Sequence, residues 1–419
     1  MISYSFKNTY FLLVFLFFFS LISCGQSKSS KLQVQEVSVL EILPGAQQTN
    51  LYLKLLASKN VAVVANQTSV IFKSEKIKNK KDYRIENINY THVVDSLLSL
   101  KINVSKVFSP EHGFRGDADA GEKVIDGLDA KTGIPIVSLY GSNKKPSKEQ
   151  LKGIDVVVFD IQDVGVRFYT YISTLHYVME ACAEQGITVI VLDRPNPNGQ
   201  YIDGPTLEME HTSFVGMHPI PVVYGMTIGE YAQMINGEHW LQNNIKCDLT
   251  VIPLKNYNHS NSYSLPIKPS PNLPNDKAIN LYPSLCFFEG TNVSVGRGTE
   301  KQFQIFGSPF MKPATLNFCF TPQPNNGAKH PMHENIECCG FDLSNIENLS
   351  KIELSYLIEA YSLTKDKSKF FNNFFTRLAG TTKLQEQLEN NTSTEEIYAS
   401  WKPKIEKFKK IRLKYVLYE

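Results

Sequence analysis

Along residues 51–255, short apolar-rich runs, of which Val61 to Ala65 is continuous, alternate with stretches in which apolar side chains recur every three or four positions. Val61-Ala62-Val63-Val64-Ala65, residues 104–108, 134–139, 154–160, 187–192 and 249–253 form the runs. A run without polar alternation suits a strand covered on both faces. Between them, residues 171–185 place Leu175, Val178, Met179 and Cys182 at helical spacing and stop at Gly186, and residues 95–100 read as the end of another helix. Repetition of strand and helix predicts the α/β class, a parallel sheet flanked by helices.

After residue 255 the texture changes. Residues 256–283 are rich in Asn, Ser and Pro, the chain to 320 is rich in Gly and aromatics, and helical patterns return at 352–363 and 394–413. This predicts a second, smaller α+β domain over residues 257–419, after a first over 49–256. The cleft between two such domains is the default ligand site.

The first 48 residues read differently. Lys7 precedes the uncharged, Phe- and Leu-rich stretch 10–23, shorter than the roughly 20 residues of a spanning helix, as in a signal peptide. Leu21-Ile22-Ser23-Cys24-Gly25 resembles a bacterial lipobox, which closes a lipoprotein signal segment over residues 1–24 and makes Cys24 the expected lipidated first residue of the mature protein. Residues 25–48 are then a tether. The expectation is a periplasmic lipoprotein anchored in a membrane, the outer membrane being favoured.

Composition narrows the function classes. A formal charge of +2 and dispersed Lys and Arg leave no basic patch with stacking aromatics, so nucleic-acid binding is not expected. The run 402–414 interleaves Lys and Arg with apolar residues, as an amphipathic helix would. Of the remaining cysteines, Cys319 can pair with Cys338 or Cys339 in an exported chain, and Cys182 fits a buried thiol. No CxxC or Cys/His spacing predicts a metal.

The polar chemistry gathers in loops that follow the apolar runs, and such loops face the ligand crevice of open α/β sheets. Asn66-Gln67-Thr68 follows the first run and lacks the glycines of a dinucleotide turn, so no nicotinamide cofactor is expected. Ser109-Pro110-Glu111-His112-Gly113-Phe114-Arg115 follows the run 104–108, and Asp160-Ile161-Gln162-Asp163-Val164-Gly165-Val166-Arg167-Phe168-Tyr169-Thr170-Tyr171 follows the strongest. In the second domain, Glu289-Gly290-Thr291-Asn292-Val293-Ser294-Val295-Gly296-Arg297-Gly298-Thr299-Glu300 lacks phosphate-loop spacing, but sets Arg297 between glycines as a fork for a carboxylate. Neither a GxSxG elbow nor an HExxH pair appears.

These segments, with Gly133-Ile134-Pro135-Ile136-Val137-Ser138-Leu139-Tyr140-Gly141 and Asp193-Arg194-Pro195-Asn196-Pro197, resemble the hallmark segments of the exo-acting β-N-acetylmuramidase family of the NamZ type. The resemblance implies a Rossmann-like domain joined to a smaller C-terminal one. It also implies release of N-acetylmuramic acid from the non-reducing end of peptidoglycan fragments, muropeptide or disaccharide, without a cofactor. Glu111 matches the family's catalytic glutamate. Cleaving a glycosidic bond calls for a protonated carboxyl group and a second group; Asp163 and a tyrosinate-like Tyr169 or Tyr171 are the candidates for the second. His112 is expected to orient Glu111. Arg115, Arg167 and Arg297 are candidates for the lactyl carboxylate of muramic acid, and Asn66, Asp160, Asn292 and Glu300 complete the expected substrate contacts. A lipid-anchored sugar-binding protein without catalysis is the alternative.

Overall fold

The computed structural model describes residues 41–72, 89–115, 126–311 and 316–419. The expected signal peptide, Cys24 and residues 25–40 of the tether lie outside them. Among the described residues no helix is long and apolar enough to cross a membrane.

Residues 42–419 cluster as one compact unit. Its main sheet has seven strands in the order β5-β6-β4-β1-β7-β8-β9. They are β1 (Asn60–Ala65), β4 (Asn103–Ser109), β5 (Gly127–Leu128), β6 (Pro135–Ser138), β7 (Val156–Asp160), β8 (Thr188–Leu192) and β9 (Leu249–Ile252), while β2 (Val70–Phe72) and β3 (Tyr90–His92) form a separate hairpin. All pairings in the main sheet are parallel except that of the edge strand β5. Every residue of β7 and all but the first of β1 are buried, which explains their unbroken apolar sequence.

From β1 the chain moves outward through β4 and β6, then returns to the other side of β1 as β7 and continues to β8 and β9. The carboxyl ends of β1, β4 and β7 therefore meet at a switch point, where the connecting loops leave in opposite directions and open a crevice. The helix Tyr171–Gln185 leads away from it and ends at Gly186, at φ 65, where a side chain would be strained.

The C-terminal domain has a three-stranded antiparallel sheet, β10 (Ile305–Ser308), β12 (Cys338–Asp342) and β11 (Phe318–Phe320), in that order. Cys319 faces Cys339 across β11 and β12, and the two form a disulfide. Cys338, one residue away, points its thiol into the interior, as does Cys182 in the first domain. The helix Thr394–Arg412 buries Ile397, Trp401, Ile405 and Phe408 on one stripe and leaves its lysines in water. One apolar cluster runs from Val157 and Phe159 of the sheet through Phe288 to Trp401, so the domains share a core.

The end of the expected tether is corrected. Leu43 exchanges backbone hydrogen bonds with Lys255, and Gly45 N–H donates to the Asp193 carbonyl at 2.8 Å. Gly45 and Ala46 are buried, and a Cβ on Gly45 would lie 2.4 Å from the Ile252 carbonyl oxygen. Residues 42–48 thus belong to the folded body, held by a non-local pairing.

Candidate active site

Glu111 stands in the turn after β4. Gly113 N–H donates to the Pro110 carbonyl at 3.1 Å, and the turn puts His112 at φ 70 and Gly113 at φ 81. A left-handed histidine is unusual, and such backbone is held at a cost that recurs in functional loops. Half-buried, Glu111 accepts a 2.8 Å hydrogen bond at Oε2 from Thr170 Oγ1. Thr170 immediately precedes the helix Tyr171–Gln185. The loops after β4 and β7 are therefore tied at the switch point.

Glu111 and His112 line a cavity of about 190 Å³. Its walls include Tyr140 after β6, Tyr169 to Tyr171 after β7, and Phe214 from the excursion between β8 and β9. The opposite side comes from Ser270 and Asn272, then Tyr282, Glu289, Arg297 and Phe303 of the C-terminal region. Aromatic walls with a few convergent polar groups are what a sugar ring needs, because its faces are apolar and its edge is lined with hydroxyls.

Tyr169 and Tyr171 contact each other edge to face at 4.8 Å between ring centroids, and both hydroxyls reach the Pro269 carbonyl, at 2.8 and 3.3 Å. Burial pushes both phenols above their usual range. Burial thus works against the tyrosinate-like role expected for them, while the two rings wall the cavity and fasten the segment around Pro269.

Several other expected contacts lie away from the cavity. Asp163 is buried behind it, accepting hydrogen bonds at Oδ2 from Gly165 N–H at 2.7 Å and from the Tyr224 hydroxyl. Asp160 has no exposure and is clasped by Arg194 at 2.6 and 2.9 Å. Arg167 has none either; its Nη1 donates to the Pro205 and Ile220 carbonyls and its Nη2 to those of Leu378 and Ala379, each at 2.8 Å. Arg115 pairs with Asp129 at 2.8 Å and lines a different pocket, with His92 and Lys131. Asn66 is buried, holding Thr68 through Oδ1 and donating to the Tyr171 hydroxyl at 2.9 Å, so it acts on the cavity through that ring. Neither Asn292 nor the exposed Glu300 is among the lining residues; the Asn292 carbonyl takes His333 and Ser308 instead. Asp160, Asp163, Arg167, Arg115 and Asn66 take these partners inside the protein because a polar group within a fold needs them, whereas Glu300 faces solvent.

Of the expected set, the cavity keeps Glu111, His112, Tyr169, Tyr171 and Arg297. Among the residues it adds are Thr170 and Glu289, which the sequence does not single out. Both stand inside segments already noted for their motifs, and neither carries a local pattern that marks it. Glu289 Oε1 accepts from Arg297 Nε at 2.7 Å and lies 2.6 Å from Nη2.

Comparison with known proteins identifies the family. Residues 61–277 match the family described as exo-beta-N-acetylmuramidase NamZ, N-terminal, and residues 280–418 match its C-terminal counterpart. The peptidoglycan beta-N-acetylmuramidase NamZ of Bacillus subtilis is 39% identical over 387 residues, 88% of this chain and 89% of that protein. Two crystal structures of DUF1343 family proteins from Bacteroides fragilis superpose with TM-scores of 0.80 and 0.75. They are 45% and 29% identical, covering 91% and 90% of this chain and 99% of each of theirs. A match along both domains, together with the switch-point cavity, places this chain in the NamZ exo-β-N-acetylmuramidase family.

Proposed function

We propose that the protein is an exo-β-N-acetylmuramidase that hydrolyses the glycosidic bond of a non-reducing-end N-acetylmuramic acid in peptidoglycan fragments, with Glu111 as the acid. The observation that carries the assignment of the acid is the position of Glu111 at the switch point, half-buried in an aromatic cavity and tied to Thr170. In the reaction the carboxyl group of Glu111 gives its proton to the bridging oxygen as the bond to the anomeric carbon breaks; water adds to that carbon and releases a proton to solvent, from which the Glu111 carboxylate is reprotonated. The Thr170 hydroxyl donates to Oε2 and so fixes the orientation of the carboxyl group. The rings of Tyr169 and Tyr171 support the sugar from the side fixed by Pro269.

The test is hydrolysis of a chromogenic β-N-acetylmuramide beside its glucosamine counterpart, by the protein and by Glu111→Gln. Preference for the muramide is expected, with turnover falling roughly 100- to 10,000-fold in the variant while ligand binding persists. Undiminished turnover by Glu111→Gln would remove the acid role. Absence of muramide hydrolysis by the unaltered protein would remove the activity.

For location the proposal is lipid attachment at Cys24 and a periplasmic position on the outer membrane, supported by the apolar stretch 10–23 followed directly by Ser23-Cys24. Metabolic labelling with a fatty acid tests it, since Cys24→Ser should lose the label.

A further inference from the structure

Resting on the muramidase reading, we infer that Arg297 is the residue that selects muramic acid by binding its lactyl carboxylate, and that Glu289 positions Arg297 for this. Among the described residues lining the cavity, Arg297 is the one Lys or Arg. Two carboxylates, Glu111 and Glu289, line it as well. A substrate carboxylate entering such a space meets repulsion unless a cation receives it. The other two arginines expected to meet the lactyl carboxylate are committed elsewhere, Arg167 through Nη1 and Nη2 to four carbonyls and Arg115 to Asp129.

Arg297 differs in how its donors are used. Nε and Nη2 both converge on one oxygen, Glu289 Oε1, so Glu289 occupies a single edge of the guanidinium. The plane presents a second edge, formed by Nη1 and the outer N–H of Nη2, which suits a carboxylate in bidentate fashion. Among the described residues no acceptor meets Nη1. One face of the group is covered by the Phe303 ring, 5.2 Å from Cζ to centroid, which limits rotation out of the cavity. Held on one edge and one face, the guanidinium is oriented before the ligand arrives, so less freedom is lost on binding.

The experiment compares kcat/KM for a chromogenic β-N-acetylmuramide with that for the same compound carrying a lactyl carboxamide. The protein should favour the acid by roughly ten- to a hundredfold, the worth of a charge-assisted pair. Arg297→Gln should bring the ratio close to one. Arg297→Lys should lose most of it too, because an ammonium drawn to Glu289 has no second edge. Where turnover is too slow, ligand-observed NMR with free N-acetylmuramic acid and its carboxamide gives the same ratio, and thermal unfolding shows whether each variant is folded. A folded Arg297→Gln that keeps the acid preference overturns the inference, as does an unaltered protein that hydrolyses or binds both forms equally. Failure of the unaltered protein to cleave either muramide would instead overturn the muramidase reading.

Discussion

Thr170 donates its hydroxyl to Glu111 across 59 positions of sequence, joining the loop after β4 to the start of the helix that follows β7. The bond fixes the orientation of the carboxyl group. Thr170→Val keeps the shape and removes the donor, so kcat should fall about tenfold or more with KM little changed, the value of a hydrogen bond to a charged group. Thr170→Ser should recover most of the loss. Steady-state kinetics on the three proteins checks this, and equal loss in Val and Ser variants would contradict it.

Arg167 contributes to stability rather than to substrate binding. Its four carbonyl partners come from the β8–β9 excursion and from the end of the helix Phe375–Ala379, and all five groups are removed from water. Arg167→Met strands these carbonyls together and should destabilise the fold by at least about 3 kcal/mol, because each unpaired buried polar group costs roughly 1–3 kcal/mol. Urea unfolding measures it. A change below about 1 kcal/mol would show that the carbonyls find other donors.

Asp163 should make stability depend on pH. Burial lifts its carboxyl group to about 6, against 3.8 as the ordinary value, while the bonds from Tyr224 and Gly165 act in the opposite direction. The raised value means that folding favours the protonated form. Its contribution is therefore full below about pH 4 and lost as pH rises through about 6, amounting to no more than about 3 kcal/mol. Asp163→Asn removes this titration. The difference in unfolding midpoint between the protein and the variant should shift between pH 4 and 7; a constant difference would contradict the burial argument.

The cross-strand disulfide closes a loop of sequence separation 20. Reduction, or replacement of Cys319 and Cys339 by alanine, should lower stability by about 3 kcal/mol through the entropy restored to the unfolded chain. Thermal unfolding with and without reductant tests it, and mass analysis of the unreduced protein should show the bond.

Much of the fold was legible because its signal is local. The unbroken run containing Val156, Val157, Val158 and Phe159 could only be a strand covered on both sides, and it is the fully buried β7. Spacing and Gly186 set both ends of the helix Tyr171–Gln185. The pairing of Cys319 was narrowed to two choices, and the facing of β11 and β12 selected Cys339. The close of the tether was misread because Gly45 is ordered by the backbone of Asp193, which no nearby residue reveals.

Sequence by itself determined the strand–helix rhythm, the loops that carry chemistry, the family resemblance and the acid candidate Glu111. Those follow from periodicity and short motifs, in which each residue is read against its neighbours. Only the tertiary structure decided which polar side chains face the cavity. Asp160 meets Arg194 34 positions later, Arg167 meets Leu378 211 positions later, and both are thereby spent inside the protein. Arg297 meets Glu289 just eight positions away, yet the freedom of its other edge depends on everything that does not pack against it. A buried polar group takes whichever partner the fold brings near, and that choice is made by the whole chain at once.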